Sequence, residues 1–171
     1  MVGHLTHTHP GPARVALPTA IRDAIVSHAR AEAPNEACGI VLGSASAADR
    51  GKPLRFVPTR NAAASPYRYE IHSDDLFGLW RAAEEANEAF WAIVHSHVAS
   101  PAIPSPTDLG LAFWPDALYL LVSLAPDEPE REGVEPDIRA WRIVGGSLSA
   151  GRMDGTAAFE VALRGASLVR L

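Results

Sequence analysis

The chain has 171 residues, a size typical of a single domain, and 47% of them are hydrophobic against 20% that are charged. This composition excludes a mainly disordered chain, and the formal net charge of −5 argues against a nucleic-acid partner, because such proteins usually carry a basic face. No apolar run reaches the ~20 residues that cross a bilayer, and residues 1–14 lack the apolar core of a signal peptide, so we predict a cytoplasmic protein with no membrane partner.

Apolar periodicity and turn residues predict one folded domain behind a short leader. Residues 1–12, rich in histidine, proline and glycine, are expected to be a flexible leader, and residues 13–171 are expected to form the domain. In chain order, the first predicted elements are a strand at 14–17, a helix from Thr19 that stops at Pro34, a strand at 37–42, strands at 54–58 and 67–71, and a helix capped by Ser73.

The second half of the chain continues the alternation of strands and helices. Its predicted elements are an apolar strand at 90–94 that ends in His95, a short helix from Thr107, a buried strand at 117–124, an acidic surface loop at 126–136 and a strand at 138–144. The tail at 145–171 is hairpin-like at best. Strands interleaved with helices predict an α/β fold, a single mixed β-sheet flanked by helices in an α/β/α sandwich.

A His-Ser-His segment at the end of an apolar strand is the first candidate for chemistry. Because side chains alternate along a strand, the imidazoles of His95 and His97 can face one side while Ser96 faces the other, which gives a two-nitrogen chelate. An isolated pair of this kind is more often two solvent-facing histidines at a strand end. A metal site would need a further ligand.

Ser105 and Asp108 are candidates that a helix start explains equally well. Serine at the N-cap, Pro106 at the first helical position and an acidic side chain in the first turn are typical of a capped helix. Asp108 could also supply a third ligand at the rim of the loop that leaves His95. Cys38 is the single cysteine of the chain, so any metal must be held by nitrogen and oxygen.

Glu36 precedes an apolar strand, a position where a charged residue is most often a solvated strand end. With a metal-activated water nearby, such a carboxylate could instead accept the proton of the water and pass it to the leaving amine.

Taken together, Glu36, the His95-Ser96-His97 segment, Ser105 and Asp108 resemble the signature of the JAMM, or MPN-plus, family of Mov34-type zinc metalloproteases. The resemblance covers nearly the whole chain, and it implies one Zn²⁺ held by His95, His97 and Asp108. It also implies that Glu36 is the catalytic acid/base and that Ser105 stabilises the tetrahedral intermediate. The JAMM/MPN fold agrees with the predicted sandwich.

Other features look most like bacterial family members that release cysteine from the C-terminus of a ubiquitin-like sulfur-carrier protein. These features are the compact length, Ser65-Pro66 within residues 61–69, and Trp80-Arg81-Ala82. The resemblance implies a sulfur-carrier partner whose tail is held extended by four residues: Asn61, Ser65, Tyr67 and Tyr69. Cys38, two residues after Glu36, is either a small buried hydrophobic residue or a modulator of the site.

Two other functions stay open from the sequence. One is a broader isopeptidase that removes ubiquitin-like modifiers from lysines, and the other is a non-catalytic scaffold that binds such a modifier, which the intact ligand set disfavours. A cytidine deaminase is excluded because the chain has no Cys-x-x-Cys pair. The leaving group, the metal used in cells and a choice between monomer and homodimer do not follow from the sequence.

Overall fold

The computed structural model describes residues 14–125, 136–149 and 152–166. The predicted leader at 1–12 and nearly all of the predicted loop at 126–136 lie outside the described residues. The elements are β1 Arg14–Pro18, α1 Thr19–Glu32, β2 Cys38–Gly43, β3 Pro53–Thr59, α2 Ser73–Ala86, β4 Ala89–His97, α3 Pro106–Gly110, β5 Leu118–Ser123, β6 Asp137–Ser149 and β7 Arg152–Ala166. None of the helices in these ranges is long and apolar enough to span a membrane.

The strands form one mixed sheet in the order β1-β7-β6-β5-β4-β2-β3. The pairs β4–β5 and β1–β7 are parallel, and the other neighbours are antiparallel. Because β4 and β5 run in parallel, the chain must cross over between them, and α3 lies in this crossover directly beyond the carboxyl end of β4. The predicted single-domain mixed sheet is confirmed.

Apolar clusters cover both faces of the sheet and make three layers. The cluster on the α1 face contains Leu17, Ile21, Ile25, Ala29, Val41, Trp91, Val94, Leu118, Leu120 and Val122. The cluster on the opposite face contains Ile40, Leu42, Ala83, Phe90, Ile93, Tyr119 and Leu121, with Leu76 and Leu79 of α2 and Leu109 of α3 packed against it. Since Val94 faces α1 and Ile93 faces α2 and α3, the alternation along β4 directs His95 and His97 into the α2 and α3 layer.

The predicted strand at 67–71 is wrong, because a side chain takes the place of a partner strand. Only one isolated bridge, between Asn61 and Ile71, pairs this segment. Asn61 Nδ2 donates to the Arg68 carbonyl at 3.1 Å, and Asn61 Oδ1 accepts from the Glu70 N–H at 2.9 Å. These backbone groups are therefore satisfied without a ladder.

The start of α2 and the tail of the chain also differ from the sequence prediction. His72, rather than Ser73, caps α2, since its Nδ1 accepts from the Asp74 N–H at 3.3 Å. In its described part, the tail forms two long paired strands of the sheet. Strands β6 and β7 pair along most of their length, and β7 also pairs with β1.

Candidate active site

Three buried side chains meet where β4 ends. His95 and His97 project from β4, and Asp108 reaches them from the first turn of α3. Nε2 of His95 lies 3.2 Å from Nε2 of His97. Nε2 of His95 lies 3.3 Å from Oδ1 of Asp108, and Nε2 of His97 lies 3.3 Å from Oδ2. We refer to these three residues as the His-His-Asp cluster.

The separations within the His-His-Asp cluster match the requirement of a tetrahedral metal ion. Zinc bonded at ~2.0–2.1 Å to nitrogen and oxygen requires neighbouring ligand atoms ~3.3 Å apart. In the described part of the chain these three residues are the one group of potential ligands close enough to share an ion. Three protein ligands with a fourth position open are typical of catalytic rather than structural zinc sites.

The pKa shifts of His95 and Asp108 favour binding of a cation at the His-His-Asp cluster. Burial lowers the pKa of His95, so this imidazole is neutral at pH 7 and offers a lone pair. Burial acts to raise the pKa of Asp108, but the hydrogen bonds from His95 and His97 outweigh it and hold that pKa well below its usual range. Burial also acts to lower the pKa of His97, but its hydrogen bonds with Asp108 and the Pro101 carbonyl outweigh it and raise that pKa. The cluster thus combines an ionised carboxylate with one imidazole that is neutral and one that holds its proton more tightly.

A capping box at the start of α3 orients the Asp108 carboxylate. The Ser105 hydroxyl accepts from the Asp108 N–H at 3.1 Å, and the Ser105 N–H donates to Oδ2 of Asp108 at 2.7 Å. That same oxygen lies 3.3 Å from Nε2 of His97, so the cap and the cluster share one carboxylate. The Ser105 oxygen acts as an acceptor here, which leaves its hydroxyl hydrogen able to donate elsewhere.

Glu36 lies two residues before β2, the antiparallel neighbour of β4. Its N–H donates to the Ser65 carbonyl at 2.9 Å, and its carbonyl accepts from Nδ2 of Asn61 at 2.9 Å. The next residue, Ala37, donates its N–H to Oγ of Ser96 at 2.8 Å and accepts the Ser96 N–H at 3.0 Å. A loop on one side and the middle residue of the His-Ser-His segment on the other therefore hold the backbone of Glu36.

The Glu36 carboxyl is buried but has unused hydrogen-bonding capacity. The residue is only 4% exposed, and its Oε2 has no hydrogen-bond partner in the described ranges. Burial raises the pKa of Glu36 to about 7; nearby His97 acts in the opposite direction and Asp108 adds to the increase. A carboxyl group that titrates near neutrality can both accept and return a proton at pH 7.

The four residues expected to bind substrate lie in the loop at 60–72, between β3 and α2: Asn61, Ser65, Tyr67 and Tyr69. Asn61 and Ser65 contact the Glu36 backbone, as described above. Tyr69 stacks on the His95 imidazole, with ring centroids 4.2 Å apart. Tyr67 is 85% exposed. The structure thus brings three of the four to Glu36 and His95 and leaves Tyr67 at the surface.

Cys38 is fully buried at the start of β2, where it pairs with His95 across the sheet. Its Sγ lies 3.3 Å from Oγ1 of Thr59 and 3.6 Å from the Arg60 carbonyl. Burial raises the pKa of this thiol to about 11, so it stays protonated at neutral pH. These contacts are those of a small core residue, and a modulating role for Cys38 stays a prediction.

Two residues beside the site, Ser96 and Arg60, make contacts that the sequence does not predict. Ser96 holds the backbone next to Glu36, and Arg60 anchors the 60–72 loop to α2 through its backbone N–H and guanidinium, which lie 2.9 Å and 2.6 Å from the Asp75 carboxylate. A serine between histidines and an arginine after a strand are common, and only the folded chain shows what they touch.

Sequence comparisons agree with this geometry. The profile of a family described as prokaryotic homologues of the JAB domain matches residues 18–144. The chain is 42% identical over 127 residues to the CysO-cysteine peptidase of Mycobacterium tuberculosis, an alignment that covers 74% of this chain and 81% of that protein. It is 35% identical over 115 residues to the desampylase of Haloferax volcanii, which covers 64% of this chain and 81% of the relative.

A solved structure supports the same architecture. The solution structure of protein DSY2949 from Desulfitobacterium hafniense superposes with a TM-score of 0.60 at 26% sequence identity. The superposition covers 90% of this chain and 94% of that protein.

Proposed function

The chain belongs to the family of prokaryotic homologues of the JAB domain, and we propose that it is a zinc-dependent peptidase that cleaves at the C-terminal tail of a small ubiquitin-like sulfur-carrier protein. The observation that carries the proposal is the His-His-Asp cluster, whose 3.2–3.3 Å separations suit zinc. Near it lies the buried Glu36 carboxyl, whose Oε2 has no hydrogen-bond partner among the described residues. The JAMM resemblance noted from the motif is confirmed by the family match.

In this proposal the chain's own residues divide the work of hydrolysis. When bound by the cluster, zinc supplies polarisation of the scissile carbonyl and lowers the pKa of the attacking water. Glu36 accepts the proton of that water through its carboxylate and returns it to the leaving amine. Ser105 donates its hydroxyl hydrogen to the oxygen that becomes negatively charged. Asn61, Ser65 and Ser96 keep the Glu36 backbone fixed.

The relatives' names support a substrate with a ubiquitin-like tail. The name of the Mycobacterium tuberculosis relative describes cleavage between CysO and cysteine, so cysteine is the leaving group that we propose first. The Haloferax volcanii relative is named desampylase. We therefore propose, as the second candidate, an isopeptidase that removes a modifier from lysine. The exposed Tyr67 ring lies in the 60–72 loop, which we propose holds the tail extended by strand addition.

Mass spectrometry of the carrier after incubation distinguishes these functions. The substrates are CysO carrying a C-terminal cysteine and CysO joined through its C-terminus to a lysine side chain. We expect the zinc-loaded protein to shorten the first by the mass of one cysteine residue, and protein treated with a chelator to leave it intact. Faster release from lysine would favour the isopeptidase. Binding of CysO without any product would indicate the scaffold and contradict a peptidase.

Replacing Ser105 with aspartate is expected to give a folded, zinc-loaded protein with ~10²-fold or more loss of turnover. Aspartate can still cap α3, but it has no proton to donate and repels a developing negative charge. Ser105→Asn is the matched control, because its neutral amide restores both the cap and a donor. Thermal midpoint, zinc content and turnover are measured on one preparation. Normal turnover in a stable Ser105→Asp protein would show that the serine is only a cap.

A further inference from the structure

The two histidines of the His-His-Asp cluster are supported in different ways. Nδ1 of His97 lies 2.7 Å from the Pro101 carbonyl, the kind of outer hydrogen bond that usually fixes a metal-binding imidazole. Nδ1 of His95 is buried and has no hydrogen-bond partner in the ranges that the structure describes. His95 therefore lacks the support that orients its neighbour.

An aromatic ring lies where that support is missing. Tyr69 covers the face of the His95 imidazole, with ring centroids 4.2 Å apart and ring planes inclined by only 19°. Tyr69 also packs against the apolar cluster between the sheet and α2, which restricts its movement. Stacked aromatic rings attract one another when their centres are offset.

The backbone of Tyr69 is fixed on both sides by one side chain. Asn61 donates to the carbonyl of Arg68 and accepts from the N–H of Glu70, the two residues that flank Tyr69. The same amide donates to the carbonyl of Glu36. The ring that covers His95 is thus tied to the segment that carries Glu36, and its position does not depend on a bound substrate.

We propose that Tyr69 is a positioning residue, which holds the His95 imidazole through ring contact where His97 uses a hydrogen bond to the backbone. This assigns Tyr69 a role in metal affinity in place of the substrate contact expected from the sequence. Without the ring, His95 gains freedom to rotate, and the cluster must order that imidazole each time zinc binds. Loss of outer support typically lowers metal affinity by ~10–100-fold. The inference rests on the proposed zinc site but needs no particular substrate.

Zinc affinity, measured by competition with a chromophoric chelator, tests this role without any assay of activity. We expect Tyr69→Leu and Tyr69→Met to weaken zinc binding by ~10–100-fold, while Tyr69→Phe, which keeps the ring, stays within about threefold of the unmodified protein. Tyr67→Leu is the matched control, because it removes an exposed tyrosine from the same loop and should bind zinc normally. The thermal midpoint of each metal-free variant shows whether it is folded, and Tyr69→Met serves if Tyr69→Leu is not.

Unchanged zinc affinity in a folded variant that lacks the Tyr69 ring would overturn the proposal. An equal loss in Tyr69→Phe would also overturn it, because the hydroxyl rather than the ring would then matter. Failure of the proposed zinc site gives a different result, since the unmodified protein would then bind no zinc there, and failure of the proposed peptidase activity would leave the zinc affinities of all variants unaffected.

Discussion

Replacing Glu36 with glutamine is expected to lower turnover by ~10²-fold or more while zinc stays bound, since a positioned acid/base contributes on this scale. Glutamine has nearly the same shape, and the hydrogen bonds from Asn61 and to Ser65 involve only the backbone of residue 36, so the fold should be preserved. The amide cannot accept a proton from water at neutral pH. Turnover and zinc content are measured together.

Glu70→Gln is the matched control for this substitution. Glu70 lies on the 60–72 loop, its side chain is exposed, and the structure ties only its backbone to Asn61. We expect it to keep full turnover. Turnover within a few-fold of normal in Glu36→Gln would mean that another group accepts the proton, and Glu70 and Asp74 would then be tested as the base.

Replacing His97 with alanine is expected to remove most of the ~one zinc ion per chain and nearly all turnover, because a mononuclear site with only two protein ligands is weak. Nε2 of His97 lies 3.2 Å from Nε2 of His95 and 3.3 Å from Asp108, so its loss opens one side of the cluster. Zinc is quantified by atomic absorption after gel filtration.

Two controls make the zinc measurement specific. His72→Ala removes a histidine that caps α2 outside the cluster, and it should retain zinc. The histidines of residues 1–12 are replaced by alanine in every variant, since a histidine-rich segment can bind metal by itself. Equal zinc in this background with and without His97 would rule out the assigned ligand set.

The proximity of the three candidate ligands could be predicted in part from local rules, while the choice of these three residues came from the resemblance to the JAMM signature. The two-residue spacing along β4 and the capped start of α3 place His95, His97 and Asp108 within a short stretch of chain. Alternation of side chains places both histidines on one face of β4, and the N-cap pattern places Asp108 in the first turn of α3. The mixed sheet likewise follows from apolar runs separated by helices.

The 60–72 loop could not be predicted, because long-range contacts determine it. Tyr67 to Ile71 alternates like a strand, but the Asn61 side chain satisfies the backbone there, and no periodicity reports such a contact. For the same reason, the sequence does not predict the contact between the Tyr69 ring and the His95 imidazole. The pairing of β7 with both β6 and β1 was also missed, because the tail has no strong apolar alternation.

The proposed function depends on one zinc ion held by His95, His97 and Asp108, and anomalous diffraction at the zinc absorption edge tests this most directly. Crystals of the zinc-loaded protein are expected to show one strong anomalous peak ~2.0–2.1 Å from Nε2 of each histidine and from an Asp108 carboxylate oxygen. Crystals of His97→Ala grown in the same zinc concentration should lack that peak. A zinc-loaded protein with no peak at the His-His-Asp cluster, or with its peak elsewhere, would contradict the assignment.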